Sequence, residues 1–326
     1  MPETSILVTG GAGYIGSITA ERLIERGERV VVLDNLSRGY ADAVPAGAQF
    51  IQGDTSDRPL VRSLCREHQV RAVMHFAAFA LVGESVQAPE LYYRNNVIGS
   101  LCLIEEAVSA GVERLVLSST CAVYGEHSSE PLVETMPTVP INPYGESKLA
   151  VERALHWFHR AHGLTYFCLR YFNACGATAD RGERHDPETH LIPRILMVAA
   201  GEAAAVSVLG NDYPTPDGTC IRDYIHVADL ADAHIATLDA PAHASGVYNV
   251  ATGRGHSVRE VIEAARRITG HPLPETVCPR RPGDPPKLVA DPSKLRRMFG
   301  WRARHDLDAV LQSAWAFKLR PAAVRL

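Results

Sequence analysis

The sequence predicts an α/β protein built on a doubly wound parallel sheet, and three observations carry that prediction. Short apolar runs alternate with amphipathic segments through the first 172 residues, as strands and crossover helices do in a parallel sheet. The first apolar run, 6–8, leads directly into a glycine-rich turn. Beyond residue 172 the pattern loosens into shorter pieces punctuated by proline and glycine. We therefore expect a sheet domain over 1–172 and a smaller mixed α/β domain over 173–326, with the chain weaving between them.

The opening strand, turn and helix have the pattern of a dinucleotide-binding unit. Gly10, Gly13 and Gly16 permit a tight turn and a close approach of backbone to a pyrophosphate, whose charge faces the next helix N-terminus. The second strand ends in Asp34, 18 residues after Gly16, where a carboxylate would hold ribose hydroxyls. A carboxylate repels a 2′-phosphate, so NAD is predicted over NADP. The nearby Arg38 is the one residue that argues against this preference. This makes the sheet domain Rossmann-type.

Three further strands are expected over 49–52, 72–76 and 115–117, and polar residues follow two of them. Asp54 is placed to accept a hydrogen bond from an adenine amino group, or to act as an ordinary turn residue. The hydroxyls of 118–120 either reach a substrate oxygen or satisfy loose backbone groups. Both alternatives stay open on the sequence alone.

A tyrosine and a lysine four residues apart suggest proton chemistry. Pro143 suits the first position of a helix that ends by Gly163, so Tyr144 and Lys148 share one face near its start. A tyrosine that acts as a base near neutral pH needs its pKa lowered by about 3, or about 4 kcal/mol, and a neighbouring ammonium supplies part of this. The plain alternative is an exposed pair on one helix face.

Composition narrows the class of protein. The formal net charge is −4 and the basic residues are scattered, so no nucleic-acid partner is expected. No apolar run approaches the ~20 residues of a membrane helix, and no signal peptide is recognised. Seven cysteines without a Cys-x-x-Cys pair are typical of reduced thiols, so we expect a cytoplasmic protein. His185, His190 and His226 lack metal-ligand spacing, and no metal is expected.

Several motifs occur in a fixed order along nearly the whole chain. After the glycine turn and Asp34 they are His75-Phe76-Ala77-Ala78, Asn95-Asn96-Val97, Ser118-Ser119-Thr120, Tyr144-x-x-x-Lys148, Arg170-Tyr171-Phe172-Asn173, Arg222-Asp223-Tyr224-Ile225-His226-Val227 and Arg280-Arg281-Pro282-Gly283-Asp284. The chain therefore resembles the extended short-chain dehydrogenase/reductases and, within them, the UDP-glucose 4-epimerase family. The resemblance implies NAD-dependent inversion at C4 of a UDP-hexose by hydride removal, rotation of a 4-keto sugar and hydride return.

The resemblance also implies site residues, position by position. Tyr144, Lys148 and Thr120 would be catalytic. The NAD site would be lined by Gly10, Gly13, Tyr14, Ile15, Gly16, Asp34, Asn35, Asp54, Phe76, Ala77, Asn95, Tyr144, Lys148 and Phe172. The UDP-sugar would contact Thr120, Tyr144, Asn173, Arg222, Arg281, Asp284 and Leu288. Helices over 89–110 and 146–162 would pair across a homodimer axis.

Two departures from the family pattern leave the identity of the substrate sugar undecided. Leu288 stands where a tyrosine is usual and Ala80 where a lysine is usual, so a smaller wall could admit a 2-acetamido group. A UDP-pentose would use the same motifs. A nucleotide-sugar 4,6-dehydratase is disfavoured because Cys121-Ala122 replaces the Asp-Glu pair of that family. An NAD-binding redox sensor would not need Tyr144, Lys148 and Thr120 together.

Overall fold

The computed structural model describes residues 4–127, 131–281 and 284–320. Pro282 and Gly283 of the last motif lie outside this part of the chain. The strands are β1 (Ser5–Thr9), β2 (Arg29–Asp34), β3 (Gln49–Gln52), β4 (Val70–His75), β5 (Arg114–Thr120), β6 (Thr165–Tyr171), β7 (Asn173–Cys175), β8 (Val206–Leu209), β9 (Ile221–His226), β10 (Gly246–Val250), β11 (Gly255–Ser257), β12 (Glu275–Cys278) and β13 (Lys287–Leu288).

The helices alternate with the strands through the first half of the chain. They are α1 (Tyr14–Glu25), α2 (Arg58–Glu67), α3 (Val82–Gln87), α4 (Pro89–Tyr92), α5 (Gly99–Ser109), α6 (Pro143–His162), α7 (Leu191–Ala199), α8 (Val227–Ala236), α9 (Val258–Thr269), α10 (Ser293–Phe299) and α11 (Leu307–Lys318). None of the helices in the described ranges is both long and apolar enough to cross a bilayer.

The main sheet has seven parallel strands in the order β10-β6-β5-β4-β1-β2-β3. Each central strand is apolar on both sides, because helices cover both faces. One face buries Leu23 of α1 and Leu230 of α8, and the other buries Leu103 of α5 and Leu155 of α6. Since the strand order reverses between β1 and β4, a crevice opens at the carboxyl ends of these strands, where such sheets bind ligands. The predicted Rossmann-type fold is confirmed.

The chain beyond residue 172 contributes to both halves of the molecule. Strand β10 joins the main sheet beside β6, and α8 packs on α1 through Val227, Ala231 and Ile18. The remaining strands form a small sheet around β9, which pairs with β7, β11 and β13, and a separate β8–β12 pair. Helices α7, α9 and α11 share a second apolar core with Ile195, Val261 and other residues.

Three elements differ from the sequence-based expectation. Strand β5 continues through Thr120, so the hydroxyl residues 118–120 are part of the strand, paired with β6 rather than following it. The expected helix over 89–110 ends at Ser109 and contains a π-helical stretch, Tyr93–Ile98. The expected loop over 278–292 contains β13, because Lys287 and Leu288 pair with β9. All seven cysteines are free.

Candidate active site

One large cavity, of about 1150 Å³, lies at the carboxyl ends of the main-sheet strands. Single small-molecule sites usually occupy about 300–1,000 Å³, so this space can take a dinucleotide and a second ligand together. Every site residue named from the sequence lies on its wall. The residues expected at the cofactor are Gly10, Gly13, Tyr14, Ile15, Gly16, Asp34, Asn35, Asp54, Phe76, Ala77, Asn95 and Phe172. Those expected at the catalytic centre and sugar nucleotide are Thr120, Tyr144, Lys148, Asn173, Arg222, Arg281, Asp284 and Leu288.

The glycine turn between β1 and α1 has no room for side chains. Gly10 adopts φ +72°, and a Cβ placed there would lie 2.5 Å from the backbone nitrogen of Ala77. A Cβ on Gly16 would collide with the carbonyl oxygen of Gly10. This close approach leaves the bare backbone and the start of α1 facing the cavity, which is the surface that a pyrophosphate requires. The turn therefore fits a dinucleotide.

Asp34 lies at the end of β2, on the wall of the cavity. The buried carboxylate accepts hydrogen bonds from the backbone nitrogens of Ala12 (3.0 Å) and Leu36 (2.8 Å). Burial raises its pKa, and those two hydrogen bonds offset part of that rise. Arg38, the one observation in favour of NADP, forms an ion pair with Glu84. Its charge is thus already matched by a carboxylate.

Helix α6 begins against the end of β5, and this contact brings Tyr144 to Thr120. The side chain of Asn142 caps the helix by accepting from the Gly145 nitrogen at 2.9 Å, with proline at the first helical position. A Cβ on Gly145 would lie 2.6 Å from the carbonyl oxygen of Ala122. Glycine therefore lets the helix start touch the turn that follows Thr120, and this brings Tyr144 into the neighbourhood of Thr120.

The buried surroundings of Tyr144 oppose ionisation of its hydroxyl group. Burial raises its pKa well above the usual value, and hydrogen bonding to Thr120 lowers it again only in part. Burial also lowers the pKa of Lys148 to about 8, while Glu152 opposes this shift. The Lys148 ammonium donates to the carbonyl oxygen of Ser118 at 2.9 Å, at the end of β5. The expected effect of Lys148 on the Tyr144 pKa stays a prediction.

Arg222 and Asp284 also line the cavity. The Arg222 guanidinium lies 3.5 Å from the Asp284 carboxylate, and its side chain is 12% exposed. The adjacent Asp223 has different partners. Asp223 is fully buried and accepts from the backbone of Thr252 and Gly253, so its carboxylate stabilises a turn instead. Arg222 lies directly opposite Leu288 in the β9–β13 pairing.

Two supporting contacts were not predicted from the sequence. Asn96, buried on the π-helical stretch, donates to Ser147 at 3.0 Å and pairs with both backbone groups of Phe79. This ties the start of α6 to the segment after β4. Ser118 and Tyr171 share a hydrogen bond of 2.6 Å across the strand ends. In the sequence, the only sign of these two contacts is that Asn96 and Ser118 are polar residues within apolar segments.

A third unpredicted feature is a cluster of side chains between β7 and α7, which we call the 183–190 cluster. It consists of Glu183, His185, Glu188 and His190. One potential ligand atom from each residue lies within 4.8 Å of all the others. The spacing of His185 and His190 alone does not predict a metal site. The spacing Glu-x-His-x-x-Glu-x-His, which includes the two glutamates, is the sequence signal that could have found the cluster.

Comparison with known proteins agrees with this geometry. The family model described as NAD dependent epimerase/dehydratase matches residues 6–251. UDP-glucose 4-epimerases from Streptomyces lividans and Halalkalibacterium halodurans are 52% and 49% identical, each over 95% of this chain and 94% of the relative. The crystal structure of UDP-glucose 4-epimerase from Brucella ovis in complex with NAD is 46% identical, has a TM-score of 0.92 and covers 96% of this chain and 97% of that chain. The chain belongs to the NAD-dependent epimerase/dehydratase family.

Proposed function

We propose that this chain interconverts UDP-galactose and UDP-glucose by inverting C4 of the hexose. The observation that carries the proposal is that Tyr144, Thr120 and Lys148 line one cavity together with the glycine turn, Asp34 and Arg222. The high identity to UDP-glucose 4-epimerases over nearly the full chain supports the same reaction.

The proton steps belong to Tyr144. As phenolate it takes the O4 proton of the sugar, directly or through the hydroxyl of Thr120, and it returns a proton to O4 after inversion. The Thr120 oxygen accepts from the Ala122 nitrogen at 3.1 Å, which orients the hydroxyl at the end of β5. Because burial, and after it the neighbouring Tyr171, hold the Tyr144 pKa high, deprotonation depends on positive charge gathered around Tyr144 when the site is filled.

NAD⁺, when bound, supplies the acceptor and then the donor of the C4 hydride, and it carries a positively charged ring. The residues that would hold it are the glycine turn, Asp34, Asn35, Asp54 and Lys148. Asn35 donates to Asp54 at 2.7 Å, so the two side chains at the adenosine end form one polar surface. Burial raises the Asp54 pKa, but hydrogen bonds from Ser56 and Asn35 outweigh it, and the carboxylate stays charged.

Inversion requires that the sugar be held more loosely than the nucleotide. Arg222 and Arg281 each offer a guanidinium fork to the diphosphate, and charge-assisted bidentate contacts of this kind are strong. Asp284 would bind the uridine ribose and Asn173 the sugar, with Leu288 as an apolar wall. The 4-ketopyranose can then turn about its diphosphate linkage and present its other face.

Proton NMR of the purified protein with UDP-galactose and no added cofactor tests the proposal. We expect the anomeric signal of UDP-glucose to appear, which would show C4 inversion with retained NAD⁺. If the spectrum stays unchanged even after NAD⁺ is supplied, the hexose reaction is wrong. UDP-N-acetylhexosamines and UDP-pentoses would then be the substrates to try.

The same enzyme is proposed to work in the cytoplasm as a homodimer. Seven free thiols suit a reducing compartment. Tyr93 and Ile98 on the helical stretch before α5, and Trp157 on α6, are 44%, 53% and 65% exposed. Large apolar side chains on two such helices are typical of a contact face. Light scattering after size-exclusion chromatography should give twice the chain mass, and a monomer at micromolar concentration would contradict the assembly.

A further inference from the structure

The 183–190 cluster gathers four potential ligands from eight consecutive residues. The Nδ1 atom of His185 lies 2.8 Å from a carboxylate oxygen of Glu183, and Nδ1 of His190 lies 2.9 Å from the same oxygen. His190 Nδ1 is also 2.9 Å from Glu188. Two imidazole nitrogens and two carboxylates therefore point toward one small volume.

We propose that the 183–190 cluster is a structural binding site for a divalent first-row transition-metal cation of the zinc type. With both imidazoles neutral, the cluster presents two nitrogen and two oxygen lone pairs and a formal charge of −2. That donor set suits zinc and its neighbours, whereas Mg²⁺ and Ca²⁺ prefer oxygen ligands alone.

Side-chain rotation would have to adjust the distances between the ligand atoms. Zinc binds histidine nitrogen at about 2.0–2.1 Å and carboxylate oxygen at about 2.0–2.2 Å, which places tetrahedral ligands about 3.3 Å apart. The nitrogen–oxygen distances of 2.8 and 2.9 Å would open by about 0.4 to 0.5 Å, and the wider pairs of the cluster, all within 4.8 Å, would close toward the same value. Four protein ligands complete a tetrahedral shell, which is the arrangement of structural rather than catalytic zinc.

The position of the cluster indicates what the metal would do. The loop that carries it packs on the segment after β2, where Tyr40 donates to the carbonyl oxygen of Arg184 at 2.9 Å. At its other end, His190 precedes α7, whose first residues line the cavity. The ring of Tyr14, from the cofactor turn, lies edge-on to His185 with centroids 6.3 Å apart. A bound cation would fasten the loop that joins the cofactor side of the cavity to the sugar side.

Metal content separates this proposal from the proposed reaction, because it is measured without substrate. Tag-free NAD-containing enzyme is stripped with a chelator, dialysed against Zn²⁺ and analysed for metal and for thermal unfolding. We expect about one zinc per chain and a rise in Tm of at least about 2 °C. Co²⁺ in place of Zn²⁺ should give the visible absorption of a tetrahedral site.

The variants His185→Gln and Glu188→Gln should each bind Zn²⁺ at least about tenfold more weakly, as loss of a ligand predicts. The matched control is His243→Gln, which removes a histidine far from the cluster in sequence and should bind as the wild type does. Circular dichroism and retained NAD report whether each variant has folded. The proposal is overturned if the stripped wild type binds no more zinc than the folded cluster variants, or if the control loses as much.

Discussion

Gly145 offers a direct test of how the site is positioned. Replacing it by alanine puts a Cβ 2.6 Å from the carbonyl oxygen of Ala122, whereas ordinary contact begins near 3.4 Å. The start of α6 must therefore retreat from the end of β5 by about 0.8 Å, and Tyr144 moves with it. Because a misplacement of about 1 Å can cost about a hundredfold in rate, we expect kcat to fall between about tenfold and a hundredfold, or ~1.4 to 2.7 kcal/mol.

The assay is kcat for conversion of UDP-galactose, with bound NAD and Tm measured on the same preparations. Gly83→Ala is the matched control, since a Cβ there meets nothing within 4 Å and Gly83 also lies in a helix. Alanine favours a helix over glycine by about 1 kcal/mol, so the control isolates that effect from the collision. A Gly145→Ala enzyme with kcat within about twofold of wild type would refute the reasoning.

Four further predictions test other parts of the molecule. Tyr144→Phe should lower kcat at least about a hundredfold with NAD retained, and near-normal turnover would overturn its role as base. Glu152→Gln breaks a buried ion pair and should cost about 3 kcal/mol or more in urea unfolding, against about 1 kcal/mol or less for the exposed Glu202→Gln. Burial and then the charge of Lys148 lower the pKa of His75 from 6.5 to about 3, so its contribution to stability is complete above pH 6.5 and is lost as the pH falls toward 3. His75→Gln should therefore lose less unfolding free energy than the wild type between pH 6.5 and pH 3, and equal slopes of unfolding free energy against pH would contradict this. Leu288→Tyr should lower kcat/KM for UDP-N-acetylgalactosamine relative to UDP-galactose by about 10- to 200-fold, and undetectable turnover of the acetamido sugar by the wild type would end the idea of a roomier pocket.

Much of the fold and of the cavity wall was predictable because the relevant signals are local. A glycine-rich turn after an apolar strand and before an amphipathic helix is typical of one strand–turn–helix unit. The carboxyl ends of parallel strands meet at one edge of a sheet. The residues named from these motifs do line a single cavity.

Contacts between distant segments were not predictable. Arg222 forms its ion pair with Asp284, 62 positions along the chain, while the carboxylate of the adjacent Asp223 binds the backbone of Thr252 and Gly253. Adjacent residues in a strand point to opposite faces, so neighbours in sequence are poor ion-pair partners there. The salt bridge of Arg38 with Glu84 is non-local in the same way.

The sequence by itself determined the alternation of strands and helices, the glycine turn, the place of Asp34 at the end of β2 and the Tyr144–Lys148 pair, because each depends on residues within about one helical turn or one strand–helix unit. Only the tertiary structure decided that β10 returns to the main sheet, that Lys148 turns to the Ser118 carbonyl, and that two glutamates join two histidines in the 183–190 cluster. Each of these three features depends on how distant backbone segments pack against one another and on which side chains that packing buries, and a local sequence pattern specifies neither.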